Sequence, residues 1–138
     1  FNFDKKLAAL RNAKSRIPEL IGGIALKHFQ NSSRQQGFTD ATLDAWKKRK
    51  TRNRADRNNP KKDRAILVDS GVLKNSGRVK SATWKRVVVG FYGTEYGSFH
   101  NRGTTRDGVK RQFIGRSVVL QKKVSDLINQ HIKKIFSS

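Results

Sequence analysis

His100 beside Asn101 is the one place in the sequence where a histidine adjoins an asparagine. In a basic chain, the chemistry such a pair suggests is metal-assisted phosphodiester hydrolysis. A metal centre of that kind needs several further ligands. The other histidines, His28 and His131, fall on segments that read as terminal helices, with no carboxylates at ligand spacing around them. His100 therefore reads as a structural histidine near a sheet edge, and His131, on the apolar side of its helix, as core or interface. Ser70 precedes Gly71, but no base flanks it in a recognisable nucleophile motif, so helix capping is its expected role. There is no cysteine, which excludes disulfides and thiolate metal sites. The sequence also contains no phosphate-binding glycine loop, nucleophile elbow or paired-carboxylate arrangement. No catalytic residue, metal or cofactor is expected, and an enzyme is the weakest of the function classes.

Charge is the stronger signal. The 138 residues hold 31 Lys and Arg against 10 Asp and Glu, a formal net charge of +21. Self-repulsion on that scale opposes compaction unless a polyanion or an acidic protein surface lies nearby. Residues 47–64, KKRKTRNRADRNNPKKDR, concentrate ten of those cations with two Asp and no large apolar side chain. They read as an arm, mobile without partners, since nothing in them repays the entropy of ordering. Its cations would meet phosphates or the acidic surface of a neighbouring protein. Tyr92, Phe91, Tyr96 and Phe99 interleave with Arg102 and Arg106, a pattern that suits either base stacking or the apolar face of a small sheet, with core packing the stronger reading.

The elements that must position these residues follow from periodicity. Phe3, Leu7, Leu10, Ile17, Ile21, Ile24, Leu26 and Phe29 recur at helical spacing, with Pro18 predicting a kink or a second helix start. Asn31 to Asp40 reads as a loop, after which Thr39 or Asp40 would cap a short turn reaching Trp46. Order resumes at Ala65 to Val68, and Asp69 or Ser70 would cap a helical turn through Val72, Leu73 and Lys74. Val79 to Thr83 and Lys85 to Tyr92, rich in β-branched residues, predict a strand pair turning near Trp84 and Lys85. Tyr96 to His100 fits strand or short helix, and Gly103 to Gly108 a loop; Gly90 and Gly103 would end strands. Ser117 would cap a last helix whose Leu120, Val124, Leu127, Ile128, His131, Ile132 and Ile135 share a face, with Lys133 and Lys134 suiting its C-terminal dipole. Phe113 and Ile114 would tuck the chain under the sheet before it. The expected architecture is one α+β domain over residues 1–138, a small antiparallel sheet flanked by N- and C-terminal amphipathic helices, with a long basic arm. No apolar run is long enough to span a bilayer, Phe1 to Asp4 lack a secretory pattern, and a soluble chain is expected. With no methionine at position 1, the numbered chain is expected to begin after a segment that is removed or simply not included.

Three signatures in order give a further expectation. Ile66-Leu67-Val68-Asp69-Ser70-Gly71-Val72-Leu73-Lys74-Asn75-Ser76 is followed by Val87-Val88-Val89-Gly90 with Tyr96-Gly97-Ser98-Phe99-His100-Asn101-Arg102-Gly103, and then by Arg111-Gln112-Phe113-Ile114-Gly115. Together, over roughly residues 46–120, they resemble the phage virion morphogenesis family, the tail-completion or neck proteins of tailed phages such as Mu. Trp46, ahead of a basic stretch, sits where the family often has a tryptophan. Gln112 stands where proline is usual, Gly97 where alanine is, and Gly77 where an apolar residue is common.

The resemblance implies a structural protein of the head-to-tail junction in the virion, assembled in the host cytoplasm. Its subunits would form a homo-oligomeric ring between a portal or adaptor protein and a tail-terminator or tail-tube protein, with packaged DNA as a further possible contact. The expected arm contacts are Trp46, Lys47, Lys48, Arg49, Arg52 and Arg54. Asp69, Ser70, Gly71, Leu73, Tyr96, His100, Gly103 and Phe113 are the expected structural signature positions. A basic nucleic-acid-binding protein of ribosomal or architectural type explains the charge equally well, but leaves the ordered signatures unexplained.

Overall fold

A computed structural model describes residues 2–48, 72–93, 95–103 and 109–137, with Val72, Glu95 and Tyr96 described by backbone alone. The fold is α+β with long helices at both ends. Among the described residues, four helices accompany two antiparallel two-stranded sheets, where a single small sheet was expected.

Helix α1 spans Phe3–Gln35 without interruption. Asn2 caps it by accepting the Lys5 N–H at 3.1 Å, and Gln36 closes it in the left-handed region at φ 52°. Pro18 neither breaks it nor starts a second helix. Proline inside a helix forfeits one hydrogen bond and crowds the preceding turn, at about 3 kcal/mol. Among the described residues, Ile17 and Pro18 are the most deeply buried large side chains, so packing at this point offsets that cost.

The stretch expected as a loop and a capped turn is the end of α1 followed by a hairpin. Strands β1 (Gly37–Thr39) and β2 (Leu43–Ala45) pair antiparallel, Phe38 opposite Asp44. Asp40 does not cap a turn before Trp46. It reaches 78 residues along the chain, where its Oδ1 accepts the Val118 N–H at 2.8 Å and its carbonyl accepts the Val119 N–H at 3.0 Å.

Helix α2 (Val72–Asn75) leads into strands β3 (Gly77–Ala82) and β4 (Val87–Phe91). Their hairpin turns at Trp84 and Lys85 as expected, closed by reciprocal backbone bonds between Thr83 and Arg86 at 2.9 and 3.1 Å. The register slips between Val79 and Ser81, leaving Lys80 as the extra residue of a bulge. Gly90 lies inside β4 opposite Arg78 and ends no strand.

The segment left open between strand and helix is helix α3 (Glu95–Arg102). Gly103 accordingly ends a helix, at φ +77° with its N–H donated to the Phe99 carbonyl at 3.0 Å, the left-handed stop that glycine adopts without a Cβ penalty.

Helix α4 (Val118–Ser137) begins at Ser117, whose Oγ accepts the Leu120 N–H at 3.1 Å, the expected cap. It runs antiparallel to α1: Lys6, near the start of α1, donates its ammonium to the Ile135 carbonyl near the end of α4, while His28 and Lys123 line one cleft. Lys6 is buried there, a cation placed against the negative end of the α4 dipole.

Among the described residues, two apolar clusters form the core. Ala25, Phe29 and Phe38 tie α1 to β1; Trp46, Leu73 and Phe113 tie the segment after β2 to α2 and to the chain entering α4. Phe91 and Ile114 pack against both clusters, so the core is continuous. The Phe91 and Phe113 rings meet edge-to-face at 5.1 Å.

Candidate functional site

The expected site residues do not gather in one place. Trp46 is buried in the core, its indole N–H donating to the Gln112 carbonyl at 2.7 Å, so it belongs to the scaffold and not to an exposed arm. Lys47 and Lys48 are exposed immediately after it. Arg49, Arg52 and Arg54, with the rest of the expected arm, lie outside the described residues, as do Ala65 to Val68 and Asp69, Ser70 and Gly71.

The remaining signature positions build a single structural node. Leu73 and Phe113 are core. Asn101 Oδ1 accepts the backbone N–H groups of both Phe113 and Ile114, at 2.9 and 3.1 Å. The His100 carbonyl accepts the Arg111 N–H at 2.9 Å, and Ser32 Oγ on α1 donates to the Phe113 carbonyl at 3.1 Å. A Cβ on Gly103 would stand 3.0 Å from Lys110 Cβ, so its glycine also permits the close return of the chain at 110. Tyr96 lies in α3 with its side chain outside the described residues. The adjacent His100 and Asn101 thus fasten α3 to the segment entering α4, Asn101 through its side chain and His100 through its carbonyl.

Among the described residues, no group of three or more His, Asp or Glu side chains is placed to hold a metal ion. His28 is buried, with Nε2 3.1 Å from the Thr39 carbonyl. Desolvation by that burial holds its pKa below the ordinary 6.5, the Thr39 hydrogen bond working against the shift and the Lys123 charge with it. The same Thr39 carbonyl accepts Ser117 Oγ at 2.7 Å, so one oxygen joins α1, β1 and the cap of α4. His131 is half-buried on the inner side of α4.

Two surface features stand apart from this scaffold. At the paired ends of α1 and α4, Phe3 is 67% exposed, Leu10 36%, Ile132 40% and Phe136 52%. No residue of α4 is fully buried, although its apolar face was read as a core face. Beside this pair, an apolar groove of about 590 Å³ runs between α1, β4 and α4, lined by Ile21, Phe29, Val89, Leu120 and Val124. The second feature is the β3–β4 hairpin, with Trp84 52% and Tyr92 40% exposed amid Arg78, Lys80, Lys85 and Arg86.

Neither feature was identified from sequence. Trp84 was placed correctly in a turn, and an indole in a turn between strands is necessarily at the surface, so its position was the available signal. No local signal marked Phe3 or Phe136 as exposed, since both continue the apolar periodicity of their helices. No helix of the described residues is long and apolar enough to cross a membrane. A scan of known protein families finds no model that matches the chain, and neither the curated proteins nor the solved structures include one significantly similar to it.

Proposed function

We propose that the chain is a structural subunit of the head-to-tail junction of a tailed phage, in which identical copies assemble into a ring joining the capsid connector to the tail. The observation that carries this reading is the apolar end of the α1–α4 pair, where Phe3, Leu10, Ile132 and Phe136 face solvent in a single copy. Covering a large apolar side chain contributes about 1.5–3 kcal/mol, so a neighbour seated on this end gains several kcal/mol, and a closed ring repeats the contact at every subunit. Support comes also from the signatures over residues 46–120 that resemble the neck family. Their described members serve the scaffold, which suits a protein that works by shape.

Charge sets the conditions. Copies carrying +21 each repel one another, and salt screens that repulsion over a Debye length of about 10 Å at 0.1 M. Assembly through an apolar contact therefore strengthens as salt rises. The test is the solution mass of the purified protein across a salt series, alone and with isolated tails or connectors. The expected result is a closed oligomer, or a monomer that joins rings only on those virion parts, with assembly abolished by Phe136→Ser together with Ile132→Ser. A chain that stays monomeric at every salt concentration and ignores isolated tails and connectors would overturn the reading.

A further inference from the structure

We propose that the outer face and tip of the β3–β4 hairpin form a binding platform for unpaired nucleic acid, with Trp84 and Tyr92 as stacking surfaces and Arg78, Lys80, Lys85 and Arg86 as phosphate contacts. The assignment does not depend on the ring reading. It rests on how the hairpin divides its residues between two faces.

The inner face is committed to the fold. Val79 packs so closely on α1 that a Cβ added to Gly22 would meet its Cγ1 at 2.8 Å, and Val87 and Val89 line the groove shared with α1 and α4. The outer face carries no acid: residues 77–92 include four cations, Arg78, Lys80, Lys85 and Arg86, and neither Asp nor Glu. All four are exposed. Lys80, the extra residue of the bulge, lies exposed on the same side as Arg78 with its ammonium 5.7 Å from the centre of the Tyr92 ring.

Gly90 completes the platform. It lies opposite Arg78, and the ring of Tyr92 crosses it so closely that a Cβ there would meet Tyr92 Cζ and Oη at 2.8 Å. The missing side chain lets an aromatic ring lie on the outer face of the strand. At the turn, Trp84 projects a half-exposed indole with Lys85 and Arg86 directly after it. Exposed aromatics interleaved with cations are what a flexible single strand needs: rings for its bases and charges for its phosphates. A duplex offers the two rings nothing to stack on, since its bases are already stacked.

The two tryptophans make the test direct, because Trp46 is buried and hydrogen-bonded while Trp84 is exposed. Titrating the full chain with an oligothymidylate of about 16 nucleotides, the upper range of a single-site footprint, is expected to quench the solvent-exposed indole emission and protect it from acrylamide. Trp84→Ala, at an exposed turn, is expected to leave the thermal midpoint unchanged and to weaken binding of a fluorescein-labelled oligonucleotide by roughly 10- to 100-fold, the loss of one stacked base. Gly90→Ala, which displaces the Tyr92 ring, weakens it in the same direction. Arg86→Gln lowers the salt dependence by about 0.7 in log–log slope, one phosphate of a single strand. Unchanged affinity in Trp84→Ala would overturn the assignment, placing the strand on other cations such as those of residues 47–64. Tighter binding of an equal-length duplex at the same salt would overturn it too, because phosphate contact alone would then account for the affinity.

Discussion

Replacing Asn101 by alanine separates a structural from a catalytic role for the His100–Asn101 pair. Its single Oδ1 accepts two backbone N–H groups, from Phe113 at 2.9 Å and Ile114 at 3.1 Å, at a half-buried position. Each bond is worth about 1–1.5 kcal/mol net, and the donors left behind lie beside the core, so the pair contributes about 2.5 kcal/mol. Alanine is the better helix former by about half a kcal/mol, which offsets part of that loss in the last turn of α3. The net cost is about 2 kcal/mol. With an unfolding entropy of about 2.1 cal/mol/K per residue over 138 residues, that lowers Tm by about 7 °C. Asn101→Asp is the control, since a carboxylate accepts both N–H groups; an unfavourable helix-end charge limits its loss to about 1 kcal/mol. Urea unfolding followed by Trp46 fluorescence reads this locus, because the indole is bonded to the carbonyl of Gln112, next to Phe113. Asn101→Ala within about 0.5 kcal/mol of the parent, or Asn101→Asp falling as far as alanine, would refute the structural role.

Adjacent glycines of α1 should respond to alanine with opposite signs. Gly23 has nothing within 4 Å of an added Cβ, so Gly23→Ala is expected to stabilise by about 0.5–1 kcal/mol through helix propensity alone. At Gly22 the added Cβ would stand 2.8 Å from Val79 Cγ1, and overpacking of about 1–3 kcal/mol exceeds that gain, so Gly22→Ala is expected to lower the chemical-denaturation midpoint. Acid should reveal His28. Its folded pKa lies below the unfolded 6.5, so protonation favours the unfolded chain; its contribution is fully present above pH 6.5 and is lost as pH falls through the lowered folded value. A stability profile from pH 7 to 5 should slope downward in the parent and be flatter in His28→Gln; equal slopes would rule out His28 as the source.

The fold class was legible because its largest elements announce themselves locally. Leu120, Val124, Leu127 and Ile128 mark α4 by spacing alone, and three consecutive valines before a glycine mark β4. The short β1–β2 hairpin was not, since a three-residue strand gives too little alternation to read and all of β2 is exposed. Pro18 misled because a local rule met a tertiary exception: the residue that weakens the helix is also among the most buried. Trp46 misled for a related reason. Its sequence neighbours are cations, but its spatial neighbours Leu73 and Phe113 come from 27 and 67 residues further on, and only folding brings them together.

The surfaces were less legible than the scaffold because each depends on what another element leaves uncovered. The spacing on α4 shows which side chains share a face. It does not show that α1 covers that face only in part, leaving Ile132 and Phe136 in solvent. Likewise, the cations of β3 and the turn are visible in sequence, but the Lys80 bulge and the placing of Tyr92 over Gly90 are properties of register.

The two proposed surfaces respond to salt in opposite senses, and this links them. Contact through Phe3 and Phe136 is apolar and is opposed by the +21 charge of each copy, so screening strengthens it; contact of the hairpin with a nucleic acid releases counterions, so salt weakens it. A polyanion bound to the hairpin neutralises charge on the same copy whose self-repulsion opposes assembly. Nucleic acid at low salt should therefore replace high salt as the condition that permits the oligomer. By reciprocity, the oligomer should hold the strand more tightly than the single copy does. Trp84→Ala should remove the nucleic-acid effect on mass while leaving the salt-driven oligomer intact, and Phe136→Ser with Ile132→Ser should remove the oligomer under both conditions while leaving strand binding by the single copy intact. If Trp84→Ala also abolished the salt-driven oligomer, or the serine changes abolished strand binding by the single copy, the surfaces would not be separate, and their assignment to different elements would be wrong.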